Sequence, residues 1–144
     1  MSAPTAIDPI GRHRVTNPGK HVVAVVDDDP RILQSLETLL ESADYSVRLY
    51  SSAANLLENT DALAELDCLI SDIGMSVVDG FELLRATKAA QPDLPVILIT
   101  GRPEAAKLAS VDSRGAVGVF QKPFDGAQLL EAIDKALQAS PRRK

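Results

Sequence analysis

The chain has 144 residues, of which 45% are hydrophobic and 24% charged, which is typical of one folded domain with a real core. A net charge of −5 argues against bulk electrostatic binding to DNA or to anionic lipid. The single cysteine, Cys68, excludes an internal disulfide and fits a cytosolic setting, and no apolar run reaches the roughly 20 residues of a membrane helix.

The composition of the chain changes near both ends. Residues 1–20 are rich in Pro, Gly, Arg and Thr and lack periodicity, which indicates a flexible N-terminal arm. Residues 21–139 show the patterning of a folded domain, and residues 140–144 form a short basic tail. Because Met1 and the irregular arm look like a natural start, we expect a stand-alone domain and not a fragment.

Strand and helix patterns alternate along the domain. The run from Val22 to Val26 has no polar face, which is typical of a strand buried on both sides. The predicted strands are 22–26, 46–50, 68–71, 96–99 and 116–120. The predicted helices carry, in chain order, Ile32 to Leu40, Leu56 and Leu57, Gly80 to Lys88, Glu104 to Val111, and Leu129 to Leu137.

This alternation predicts the fold class. Five strands that alternate with five helices imply right-handed crossovers and a parallel sheet with helices on both faces. We therefore predict an α/β protein, a doubly wound (βα)5 fold whose five-stranded sheet has the order 2-1-3-4-5.

Polar residues follow the predicted strands at their carboxyl ends. Asp27 and Asp28 follow the first strand, Asp72 the third, Thr100 the fourth, and Lys122 comes just after the fifth. Ligands of such folds bind at this edge, where the strand order reverses. The first and third strands are neighbours, so the three carboxylates are expected to converge.

Three converging carboxylates repel one another and require positive charge. Lys122 is one source of that charge, and Mg²⁺, which favours a few carboxylates plus water, is the other. A carboxylate such as Asp72 can act as a nucleophile toward phosphorus, and Thr100 supplies a hydroxyl donor. By contrast, Asp29 before Pro30 is expected to be a helix N-cap and Cys68 a buried strand residue.

Together these residues resemble the receiver domain of bacterial two-component response regulators, which has the flavodoxin-like fold. The resemblance runs from about Val22 to Leu137. Its motifs are the acidic pair, the phosphorylation site, the switch threonine and the conserved lysine. They match Val25–Asp29, Cys68–Met75 with Asp79-Gly80, Leu94–Gly101, and Gly118–Phe124.

The resemblance implies a role for each matched residue. Asp72 would accept a phosphoryl group from a histidine kinase. Asp28, Asp72 and the backbone carbonyl of Gly74 would bind Mg²⁺ directly, and Asp27 would act mainly through metal-bound water.

The resemblance also implies a switch. Thr100 and Lys122 would contact the phosphoryl oxygens, and Thr100 would move inward together with the loop and helix that follow its strand. The same site would release its phosphate slowly, so we expect no enzyme in the ordinary sense.

Three positions depart from the family pattern. Ser76 stands where proline is usual, and Gly74 offers no side chain over the site. Val119 stands where a switching Tyr or Phe is frequent, and Phe120 cannot substitute because neighbouring strand residues point to opposite faces. We expect an altered phosphate lifetime and a changed output surface.

Two alternatives remain open. One is a receiver-like binding module that works without phosphorylation, which Val119 and Ser76 favour. The other is a haloacid dehalogenase-type phosphatase, since Asp27-Asp28-Asp29 imitates its Asp-x-Asp pair. That class needs a further acidic pair at a strand end after the lysine, and only a helix follows Lys122.

The family resemblance further implies a set of partners and a location. We expect a histidine kinase or phosphotransfer protein as phosphodonor and a downstream protein as target, without nucleic acid or membrane, in the cytoplasm. A phosphorylation-dependent homodimer is a further expectation, which Val119 weakens because it lies on the face that family members use for pairing.

Overall fold

We analysed a computed structural model of the chain. It describes residues 6–7, 13–14, 20–58, 60–73, 80–102 and 116–140. Within the segment predicted as a flexible arm, Ala6–Ile7 and His13–Arg14 form a two-residue antiparallel ladder.

The domain is built on a five-stranded parallel sheet. The strands are β1 Val22–Val26, β2 Ser46–Tyr50, β3 Cys68–Asp72, β4 Val96–Thr100 and β5 Ala116–Gln121. Their order is β2-β1-β3-β4-β5, with every pairing parallel. The predicted fold class and strand order are confirmed.

Helices connect the strands. They are α1 Pro30–Ser42, α2 Ala53–Leu57, α3 Gly80–Ala90 and α4 Gly126–Ala139, with a 3-10 helix at Thr60–Glu65 after α2. The helix predicted at Glu104 to Val111 lies outside the described residues. None of the helices in the described ranges has the length and apolar character that crossing a membrane requires.

The central strands are buried because helices cover both faces of the sheet. β1, β3 and β4 are buried throughout, as their continuous apolar runs predict. One core cluster packs α1 and α4 against the sheet through Leu33, Leu36, Leu40, Leu129 and Ile133. The other packs α2, the 3-10 helix and α3 through Leu56, Leu63, Leu83 and Leu84.

Two local predictions concern residues of this frame. Asp29 caps α1, since its side chain accepts a hydrogen bond from the Arg31 N–H at 2.9 Å, and Pro30 occupies the first helical position. Cys68 is fully buried, and burial raises the pKa of its thiol to about 12. Both predictions are confirmed.

Candidate functional site

Three carboxylates meet at the carboxyl edge of the sheet. Asp27 follows β1 directly, and Asp72 is the last residue of β3. β1 and β3 are parallel neighbours, with Val26 opposite Ser71, so both strands end at the same edge. Asp27, Asp28 and Asp72 each place one carboxylate oxygen within 4.8 Å of the others. The predicted convergence of these three side chains is thus found.

The three carboxylates differ in their access to solvent. Asp27 is fully buried and Asp72 is 7% exposed, whereas Asp28 is exposed. Clustered carboxylate oxygens of this kind suit a small hard cation that keeps several of its waters. The donor set therefore fits Mg²⁺, with Asp28 on the side that faces solvent.

Lys122 supplies the positive charge within the protein. Its Nζ lies 2.8 Å from Asp27 Oδ2 and 3.4 Å from Asp72 Oδ2, and its side chain is 19% exposed. The Lys122 backbone N–H donates to the Thr100 carbonyl oxygen at 2.6 Å, which ties the end of β5 to the end of β4. The lysine thus joins two of the three acidic side chains.

The charges of the cluster shift the pKa of two of its members. Burial raises the pKa of Asp27; hydrogen bonds from Lys122 and from the Asp29 N–H oppose that rise, and the charge of Asp72 adds to it. Burial of the Lys122 ammonium works to lower its pKa, but Asp27 and Asp72 outweigh it and raise the pKa. Lys122 is therefore held firmly protonated.

Thr100 completes the edge as the last residue of β4. Its side chain is fully buried, and Oγ1 accepts a hydrogen bond from the Arg102 backbone N–H at 3.0 Å. Asp72 pairs with Ile99 in the ladder, so Thr100 follows directly after the residue opposite Asp72. The hydroxyl accepts from the backbone and keeps its own hydrogen to donate.

The side chains of β5 divide between the two faces of the sheet. Val119 packs against the core cluster of α2 and α3, whereas Phe120 packs against that of α1 and α4. The Phe120 ring meets that of Phe124 edge-on, with centroids 6.1 Å apart and planes at 64°. As predicted from the strand period, Phe120 does not fill the position that Val119 leaves small.

Some site residues were not fully anticipated from sequence, and others lie outside the described part. The contact of Lys122 with Asp27 had no sequence signal, since any of the three carboxylates could have received the ammonium. The Asp29 N–H, which donates to Asp27 Oδ1 at 2.9 Å, was likewise missed. Gly74, Ser76 and Asp79 lie outside the described residues, so the Gly74 carbonyl remains a predicted ligand.

Comparison with known proteins supplies a family context. The model of the response regulator receiver domain matches residues 23–134. The transcriptional regulatory protein FixJ of Bradyrhizobium diazoefficiens is 35% identical over 85% of this chain, which spans 60% of that protein. The response regulator protein TmoT of Ectopseudomonas mendocina is 33% identical over 94% of this chain and 60% of its own length.

A solved structure gives the same result. The crystal structure of a response regulator receiver domain protein from Clostridium thermocellum superposes with a TM-score of 0.72 at 29% identity. The match covers 82% of this chain and 94% of the other. The chain is thus similar to a receiver domain over most of its length, and it spans about three fifths of the two curated relatives named above.

Proposed function

Because the chain belongs to the response regulator receiver domain family, we propose that it accepts a phosphoryl group on Asp72 and thereby changes a protein-interaction surface. The observation that carries this proposal is the cluster of Asp27, Asp28 and Asp72 with Lys122 against two of its members. Charge of both signs is thereby gathered around one nucleophilic carboxylate.

The donor set of the edge supports a bound Mg²⁺. Asp28, Asp72 and the Gly74 carbonyl would hold it directly and Asp27 through water, and the ion would neutralise charge on the phosphoryl oxygens. Asp28, the exposed member, gives a hydrated cation access to the site.

The transfer itself requires few protein groups. A carboxylate oxygen of Asp72 forms a bond to the phosphorus of the donor, and the bond from phosphorus to the leaving nitrogen or oxygen breaks with its electron pair. The ammonium of Lys122 faces Asp72 Oδ2 at 3.4 Å and stabilises charge on the transferred group. Slow loss of the phosphate to water would reset the site.

The switch proposed here begins at Thr100. Its buried hydroxyl can donate to a phosphoryl oxygen, and the turn that it holds through the Arg102 N–H would move with it. With Val119 in place of a ring, the surface beside β5 would change less than one carrying an aromatic switch.

The partners follow from this chemistry. The phosphodonor would be a histidine kinase or a phosphotransfer protein, and the target a protein that binds the altered surface. FixJ is named a transcriptional regulatory protein, and this chain spans 60% of it. A net charge of −5 gives the domain no electrostatic attraction to DNA, so we propose a protein contact as its output.

The proposal is tested with acetyl phosphate and Mg²⁺, followed by intact mass. We expect one added phosphoryl group on the native protein and none on the Asp72→Asn variant. Asp61→Asn, at an exposed position in the 3-10 helix, is the matched control and should be modified like the native protein. If no chain takes phosphate while a known receiver does under the same conditions, the proposed function is wrong.

A further inference from the structure

We propose that the main task of Asp27 is to fix the ammonium of Lys122 beside Asp72, so that Asp27 is a positioning residue and not a metal ligand. The Lys122 Nζ lies closer to Asp27 Oδ2, at 2.8 Å, than to Asp72 Oδ2, at 3.4 Å. This inference rests on the proposed function, because it assigns a task within the phosphoryl-accepting site.

Both carboxylate oxygens of Asp27 already have partners in the protein. Oδ2 accepts from Lys122, and Oδ1 accepts from the Asp29 backbone N–H at 2.9 Å. The side chain has no exposed surface. Asp28 is exposed, and a hydrated Mg²⁺ requires access from solvent. The acidic pair thus divides into an inner residue turned to the lysine and an outer residue turned to the cation.

The orientation of Asp27 is fixed from the first turn of α1. The Arg31 N–H donates to Asp29 Oδ1 at 2.9 Å, which holds the backbone that in turn donates to Asp27. A chain of hydrogen bonds therefore runs from the start of α1 through Asp27 to the ammonium of Lys122. A carboxylate held in this way is a suitable anchor for a flexible side chain.

Lys122 benefits from such an anchor because its side chain is long and freely rotating. Its backbone N–H is bound to the Thr100 carbonyl oxygen, and its other end is bound to Asp27. With both ends held, the ammonium remains beside Asp72 while charge develops on the transferred phosphoryl group, and little reorganisation is needed at that moment.

The first measurement is the NMR signal of the Lys122 ammonium in ¹⁵N-lysine-labelled, Mg²⁺-free protein, assigned with Lys122→Gln. An ammonium fixed in an ion pair exchanges its protons slowly enough to be seen. We expect the signal in the native protein and in Asp72→Asn, and its loss in Asp27→Asn. Loss in Asp72→Asn with retention in Asp27→Asn, or no signal in the native protein, would overturn the proposal.

The second measurement separates positioning from metal binding. By calorimetry, Asp28→Asn should weaken Mg²⁺ binding by about tenfold or more, whereas Asp27→Asn should change it by less than about threefold. At saturating Mg²⁺, Asp27→Asn should still slow phosphorylation by acetyl phosphate by about tenfold. Equal losses of Mg²⁺ affinity in the two variants, or an unchanged rate in Asp27→Asn, would overturn the assignment.

The two proposals fail in different ways. A native protein that takes no phosphate contradicts the proposed function, yet the ammonium signal and the Mg²⁺ titrations still report on the task of Asp27. Circular dichroism of each variant identifies a loss of fold, and in that case the comparison of native protein with Asp72→Asn decides which carboxylate holds the ammonium.

Discussion

Asp67 and Val22 are joined by two hydrogen bonds where two neighbouring strands begin. The Asp67 N–H donates to the Val22 carbonyl oxygen at 2.8 Å, and the Val22 N–H donates to Asp67 Oδ2 at 2.7 Å. Asp67 is 2% exposed. A buried backbone N–H requires an acceptor, and here a carboxylate supplies it. The pair thus fixes the start of β1 against the entry to β3.

Replacement of Asp67 should therefore destabilise the domain. Asp67→Ala leaves the buried Val22 N–H without its acceptor, and we expect the free energy of unfolding to fall by about 1–3 kcal/mol. Asp61→Ala, at an exposed position in the 3-10 helix, should change it by less than about 0.5 kcal/mol. Urea unfolding measures both, and equal effects would refute this role of Asp67.

Loss of the Lys122 charge should also cost stability in the absence of metal. Lys122→Met leaves Asp27 buried and without its counter-charge, so we expect a loss of about 2 kcal/mol. The value is below that of a fully buried pair because the lysine side chain is 19% exposed. Adding Asp27→Asn should recover most of the loss, and a double-mutant cycle with strictly additive effects would show that the pair is not coupled.

The Asp27 carboxyl should make stability depend on pH. Burial raises its pKa above 3.8, so the folded protein holds this proton more tightly than the unfolded chain does. The resulting stabilisation is complete below pH 3.8 and disappears as the pH rises through the folded pKa. Relative to the native protein, metal-free Asp27→Asn should gain stability from about pH 3 to about pH 7. A difference in urea midpoints that stays constant or narrows over this range would contradict the prediction.

Asp44 has a left-handed backbone, with φ of 70°, in the connection between α1 and β2. This conformation costs a residue with a Cβ about 1 kcal/mol, which glycine avoids. We expect Asp44→Gly to raise the free energy of unfolding by about 0.5 kcal/mol and Asp44→Val to lower it by about 1 kcal/mol. Glu41→Gly, within α1, is the control and should be destabilising. A destabilising Asp44→Gly would remove backbone strain as the explanation.

The sheet could be predicted from sequence because its strands are continuous apolar runs. β1 and β2 have the predicted bounds, whereas β3 and β4 each extend one residue further, to Asp72 and Thr100. The pattern ends where the side chain becomes polar, but the backbone ladder continues, since its hydrogen bonds do not depend on side-chain polarity. The 3-10 helix at Thr60–Glu65 had no clear period and was not predicted.

The site was predictable in its membership but not in its contacts. Parallel strands bring Asp27 and Asp72 to one edge whatever the side chains do, so the convergence follows from topology. The choice of Lys122 between them depends on rotamers and on the backbone bond to Thr100, which sequence periodicity does not encode. Asp67 escaped notice for a related reason, because its acceptor role is set by the start of a strand 45 residues away.

The burial of Cys68 has a practical consequence for labelling. Its thiol is fully buried with a pKa raised to about 12, so almost none of it is the reactive thiolate at neutral pH. The sequence contains no other cysteine. A cysteine introduced at an exposed position such as Arg102 would therefore react alone, and a fluorophore or spin label could report on the turn after β4 without any prior removal of the native thiol.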